Sequence, residues 1–108
     1  MSRSIKDKLY ESIQKYVKNT APGLIHTLNI YCQKLVGVDC ITLFLEEPWV
    51  FKEILTSIYG SSPTVEMVAR IFIYPVILET GIEKSLDELA KLLIRDPREL
   101  YRIIHGLF

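Results

Sequence analysis

Twelve residues, Met67 to Leu78 (MVARIFIYPVIL), carry a single charge, Arg70. Wound as a helix at about 100° per residue, Val65, Val68, Phe72 and Val76 line one side. Met67, Ile71, Tyr74 and Leu78 line the opposite side, and Ile73 and Ile77 fill between. A helix that is apolar all round has to be covered, by its own domain or by a partner. The run is too short to cross a bilayer, which takes about 20 residues. It therefore predicts a buried central helix over 63–80, around which the rest of the chain packs. Proline at position 75 removes a helical hydrogen bond to the Ile71 carbonyl, so one kinked helix is expected there.

The flanking segments repeat the same period. Ile5, Leu9, Ile13, Tyr16 and Val17 recur at helical spacing behind Ser4, with Asp7 three residues on as in a capping box. Asn19 to Gly23 interrupts the pattern. Leu24, Leu28, Tyr31, Cys32 and Leu35 form the expected inner face of the next helix, which Gly37 stops from the C′ position. Asp39 caps CITLFL, a short apolar piece fit to plug one end of the core. Its β-branched residues also permit a strand, but no second strand is at hand to pair with it. Pro48 opens a helix whose inner face is Val50, Phe51, Ile54, Leu55 and Ile58, ending at Gly60.

Ser62-Pro63 starts the central helix, and Gly81 ends it with Ile82 placed for a Schellman contact on Ile77. Ser85 to Glu88 and Asp96 to Glu99 are two further capping boxes. Leu86, Leu89, Ala90 and Leu93 face inward from the first of these helices, and Leu100, Ile103, Ile104 and Leu107 from the second. No long segment has period 2. The expected fold is all-α, a single domain over 1–108, with about five to six helices around a central one and a helical hairpin at the C-terminal end.

Hydrophobic residues make up 49% of the chain, enough for a core, which excludes disorder. Lys plus Arg equals Asp plus Glu at 13 each, so no global field draws the protein to nucleic acid or anionic lipid. The charge is unevenly spread. Residues 1–20 hold Arg3, Lys6, Lys8, Lys15 and Lys18 against Asp7 and Glu11, whereas residues 39–66 hold Asp39, Glu46, Glu47, Glu53 and Glu66 against Lys52. These two regions are suited to pair with each other, within a chain or between two. The segment MSRSIKDKLY has no apolar stretch of the kind a signal peptide needs, and no membrane span follows, so a cytoplasmic protein is expected.

No catalytic or cofactor motif is visible. Cys32, Cys40, His26 and His105 are the only soft ligands, and they form no CxxC, HxxxH or HExxH spacing, so no metal site is expected. Cys32 and Cys40 read as buried free thiols rather than a bridge. Cys40 follows the anionic Asp39, which works against an activated thiolate. Paired carboxylates occur only at Glu46-Glu47 and Asp87-Glu88, where helix caps account for them. A non-enzymatic protein without cofactor follows. Arg70 is expected to pair with Glu66 four residues back. Trp49 lies outside its helix's apolar stripe, either as an interface residue or folded over the neighbouring short helix.

Two resemblances extend this reading. GLIHTLNIYCQKLVGVDCITLFLEEPWVFKEILTSIYG, followed by the apolar helix, resembles the Nitrosopumilus-type output domain of archaea over residues 10–82. The features that carry it are the helix stop at Gly37, the short helix after Asp39, the Glu47-Pro48 start and the stop at Ile58-Tyr59-Gly60. It implies a small regulatory or interaction module with no established site. SLDELAKLL, a short turn and PRELYRIIHGLF form the pattern of a helix-turn-helix. With Ser85, Glu88, Leu89, Ala90, Leu93, Pro97 and Leu100 as matching residues, the segment from Ala69 to Phe108 resembles the trihelical core of winged-helix transcription regulators, without a counterpart of their β-wing.

Two functions follow as expectations. The first is a self-associating interaction module, a homodimer or a binder of another protein, with Trp49, Phe72, Tyr74 and Val76 as candidate interface residues. The alternative is DNA binding through the last helix, 97–107. Arg98, Tyr101, Arg102 and His105 share one face of that helix and could reach phosphates or base edges.

Overall fold

The computed structural model describes residues 4–60 and 63–108. Seven helices and no strand are found among them: α1 Ile5–Thr20, α2 Pro22–Leu35, α3 Cys40–Glu46, α4 Pro48–Tyr59, α5 Pro63–Thr80, α6 Leu86–Arg95 and α7 Pro97–His105. The all-α expectation holds, with one short helix more than the longer estimate. No single helix among the described residues is long and apolar enough to cross a membrane.

Three helix junctions share one construction. A single residue, Ala21, Glu47 or Asp96, separates two helices, and proline follows it at the first helical position. The junction residues have nearly the same backbone, φ −149°, −140° and −148° with ψ 73°, 65° and 69°. Proline excludes the preceding residue from the α region, which forces the corner, while its own fixed φ suits the start of a helix. Each junction residue closes one helix with its N–H, to Val17, Leu43 and Leu92 at 2.8 Å, and opens the next with its carbonyl. The remaining turns use glycine at positive φ, Gly37 at 84°, Gly60 at 75° and Gly81 at 66°, where a side chain would be strained.

The caps form largely as the sequence dictates. Ser4, Asp39, Ser85 and Asp96 each accept from the backbone N–H three residues on. The Ser62 cap lies outside the described residues. At the end of α5 the expected Schellman pairing gives way to a simpler αL cap. Gly81 N–H bonds the Ile77 carbonyl at 2.9 Å, and Ile82 N–H turns to the Thr80 hydroxyl.

Helix α5 runs unbroken through Pro75 and packs against α1, α4 and α6. Its Phe72 meets Phe51 of α4 and Phe44 of α3, with ring centroids 4.9 and 5.6 Å apart, and these rings form the centre of the core. Cys40, Ile41, Leu43, Phe44 and Leu45 are all buried, so α3 is the plug its composition suggests. Asn29 of α2 accepts the Cys40 N–H at 2.9 Å, and the Tyr10 hydroxyl of α1 donates to Asp39 at 2.9 Å, fixing the start of α3. Arg70 pairs with Glu66 as expected and also reaches Asp87 of α6 at 2.5 Å. Lys6 of the basic leading helix pairs with Glu46 of the acidic region within the chain.

Two expected burials are not met. Tyr31 and Leu35 of α2 are exposed, because the buried contacts of α2 come from Leu28 and Cys32, with Leu24 and Ile25 partly buried beside them, and Leu35 closes the helix two residues before Gly37 turns the chain. Among the described residues, helix α5 is covered on one side only. Val65, Val68, Ala69, Phe72, Ile73 and Val76 are buried, but Met67, Tyr74 and Leu78 are exposed, at 55%, 38% and 64%. The helices packed against it among the described residues, α1, α4 and α6, leave that stripe open.

Candidate functional site

The C-terminal helix carries a ladder of rings rather than an open row of cations. Arg98 lies over the Trp49 indole, 4.5 Å from its centroid, and Tyr101 meets the same indole edge-on at 5.5 Å. His105 stacks on Tyr101 at 3.9 Å and touches the Phe108 ring at 4.5 Å. Its Nε2 is 2.9 Å from the Leu45 carbonyl oxygen at the end of α3. Because that oxygen can only accept, Nε2 carries a proton and donates it. Arg102 pairs with Glu99 one turn back, and its side chain stays largely exposed. Arg98, Tyr101 and His105, three of the four candidate DNA contacts, therefore bind the α3–α4 corner. Trp49 is covered by α7, an arrangement the sequence reading did not foresee.

The candidate interface residues divide. Phe72 and Val76 are core residues and present no surface, because the α5 side that carries them is the one α1, α4 and α6 cover. Tyr74 is on the opposite side, its ring 5.2 Å from that of Tyr16 on α1. The uncovered stripe is thus Met67, Ile71, Tyr74 and Leu78, of which Ile71 is half-buried.

Beside this stripe runs a groove between α1 and α5. The Ser12 hydroxyl donates to Glu79 at 3.0 Å while Tyr16 lies against Tyr74, so the two helices are antiparallel. A cleft of about 310 Å³ opens between Ser12, Lys15, Tyr16 and Asn19 on α1 and Pro75, Leu78 and Glu79 on α5. Pro75, which lacks a backbone N–H, contributes its ring to the wall of this cleft. A second cleft of about 250 Å³ adjoins it past Lys8 and Glu79, reaching Ile5 and Leu107. Apolar walls with a few charges at the lips suit a protein surface better than a small polar substrate.

The titrating groups in the interior are structural. Burial works against the Asp39 carboxylate, but hydrogen bonds from Thr42 and Tyr10 outweigh it and hold the group below its ordinary value. The Tyr10 phenol is pushed up to about 12 by burial and by its bond to Asp39. Cys32 and Cys40 are free and fully buried, and burial raises their thiols to about 11 and about 12. Such thiols are poor nucleophiles at neutral pH. Among the described residues no three His, Cys, Asp or Glu side chains gather as metal ligands.

In comparisons with known proteins, no family model, curated protein or solved structure matches this chain.

Proposed function

We propose that this chain is a small non-enzymatic helical interaction module that associates with itself through the α1–α5 face, in a regulatory role of the kind the output-domain resemblance implies. The observation that carries the reading is the uncovered stripe of Met67, Tyr74 and Leu78 on the helix that otherwise centres the core. Exposed apolar side chains aligned on one helix face and bordered by charges are typical of protein contact surfaces. Free, buried thiols fit a reducing, cytoplasmic setting.

The competing reading, DNA binding through α7, has weaker support. Arg98 and Tyr101 are spent on Trp49, His105 on Leu45, and Arg102 on Glu99. Sedimentation equilibrium across a concentration series tests the proposal. A concentration-dependent dimer is expected, and a protein that stays monomeric at high micromolar concentration sinks it.

A further inference from the structure

Resting on that reading of a self-associating module, we infer that the occupant of the α1–α5 groove is the same groove of a second copy, related by a two-fold axis at right angles to α5. Leu78 of each copy then lies in the cleft beside the partner's Pro75, and Lys15 pairs with the partner's Glu79.

Three properties of the groove lead to this arrangement. First, it holds both a knob and a hole. Leu78 is the most exposed large apolar side chain among the described residues, and it stands at the edge of a cleft roomy enough for a leucine side chain. A surface with both can be complementary to itself, which is what a two-fold interface requires.

Second, the lips carry opposite charges at offset positions. Lys15 precedes Tyr16, which lies against Tyr74, whereas Glu79 is further along α5 and level with Ser12. Because α1 and α5 are antiparallel, an axis crossing the groove between these two levels exchanges them. Each lysine then meets a carboxylate, and the pairing occurs twice. The Ser12 hydroxyl holds one Glu79 oxygen, Oε2, which orients the carboxylate at the lip.

Third, the balance of charge argues against other occupants. A groove with Lys8, Glu11 and Lys15 on one helix and Glu79 on the other selects neither a strongly acidic nor a strongly basic partner, but it matches its own image.

The test uses two charge reversals, Lys15→Glu and Glu79→Lys, on the full chain. Each alone sets like charges against each other twice and should raise the dimer dissociation constant by about tenfold or more. Mixed in equal amounts, the two variants should recover a dimer near the strength of the original, because in the mixed pair both contacts are opposite in sign. Pairing of Lys15 and Glu79 within one copy cannot give that recovery. Leu78→Glu should abolish the dimer with the helical circular dichroism unchanged. A wild-type dimer whose two variants do not recover on mixing, or which survives Leu78→Glu, overturns this interface and leaves self-association standing. A wild-type monomer overturns both.

Discussion

The His105 ring nitrogen and the Leu45 carbonyl oxygen meet at 2.9 Å, joining the last helix to the end of α3 across 60 residues of chain. The last carbonyls of a helix have no partner within it, and this side chain supplies one from outside. Replacing His105 by alanine leaves the Leu45 carbonyl unpaired and removes the stack on Tyr101. A loss of about 1–2 kcal/mol is expected in urea denaturation, with glutamine, which also donates, recovering part of it.

The contact between Arg98 and Trp49 has a built-in reporter, because Trp49 is the only tryptophan. Arg98→Ala should shift the emission of the folded protein and destabilise it modestly, while Arg98→Lys should retain part of the effect. Trp49→Ala, which loses both the cation and the Tyr101 edge, should cost about 1–3 kcal/mol. An Arg98→Ala protein with unchanged emission and unchanged stability would show that the contact contributes nothing.

The Tyr10–Asp39 pair gives stability a dependence on pH at both extremes. The Asp39 carboxyl is lowered in the folded protein, so its contribution is complete above the unfolded value, about 3.9, and fades as pH falls through the folded one. The Tyr10 phenol is raised to about 12, so its contribution is complete below about pH 10 and fades as pH climbs towards 12. Asp39→Asn should flatten the acid limb of a stability–pH curve, and Tyr10→Phe the alkaline limb.

Two residues six apart on α5 should behave oppositely. Phe72 is fully buried between Phe44 and Phe51, and truncation to alanine should cost about 3–5 kcal/mol through lost contacts and a cavity. Leu78→Ser, on the exposed side, should change monomer stability by no more than about 0.5 kcal/mol. Comparable losses at the two positions would mean that the stripe is covered within the chain.

Thiol titration checks the interior. Cys32 and Cys40 should react with an aromatic disulfide reagent only as fast as the protein opens, and rapidly once it is unfolded, since both are buried and protonated at neutral pH.

Much of the fold was readable because punctuation and period agree along the chain. Ser4, Asp39, Ser85 and Asp96 announce helix starts through side chains that bond their own backbone, a local effect that needs no knowledge of tertiary packing. Pro48 and Pro97 do the same through a fixed dihedral angle. The period found which residues of α6 and α4 turn inward, but it failed on α5. There both faces are apolar, and only the count of neighbouring helices decides which is covered. Phe72 and Val76 were therefore legible as apolar but not as core rather than interface. Tyr31 and Leu35 were misjudged for a related reason, since period gives a direction and not whether a neighbour reaches that far. The Trp49–Arg98 contact was out of reach because it joins positions 49 residues apart, and no local pattern encodes such a meeting.

The single-residue proline corners at Ala21, Glu47 and Asp96 have a consequence for how the chain can be cut and rejoined. Each corner residue closes one helix and opens the next through its own two backbone groups, so an inserted residue breaks hydrogen bonds on both sides at once. At the glycine turns after α2 and α5 the chain is exposed, and a side chain added at Gly37 or Gly81 would meet no neighbour. New termini or an inserted peptide should be tolerated at those turns and rejected at the corners. Chain surgery would thus expose the units of construction: α1 with α2, α3 with α4, and α6 with α7, each a hinge-free bracket, with α5 as the beam they are fastened to.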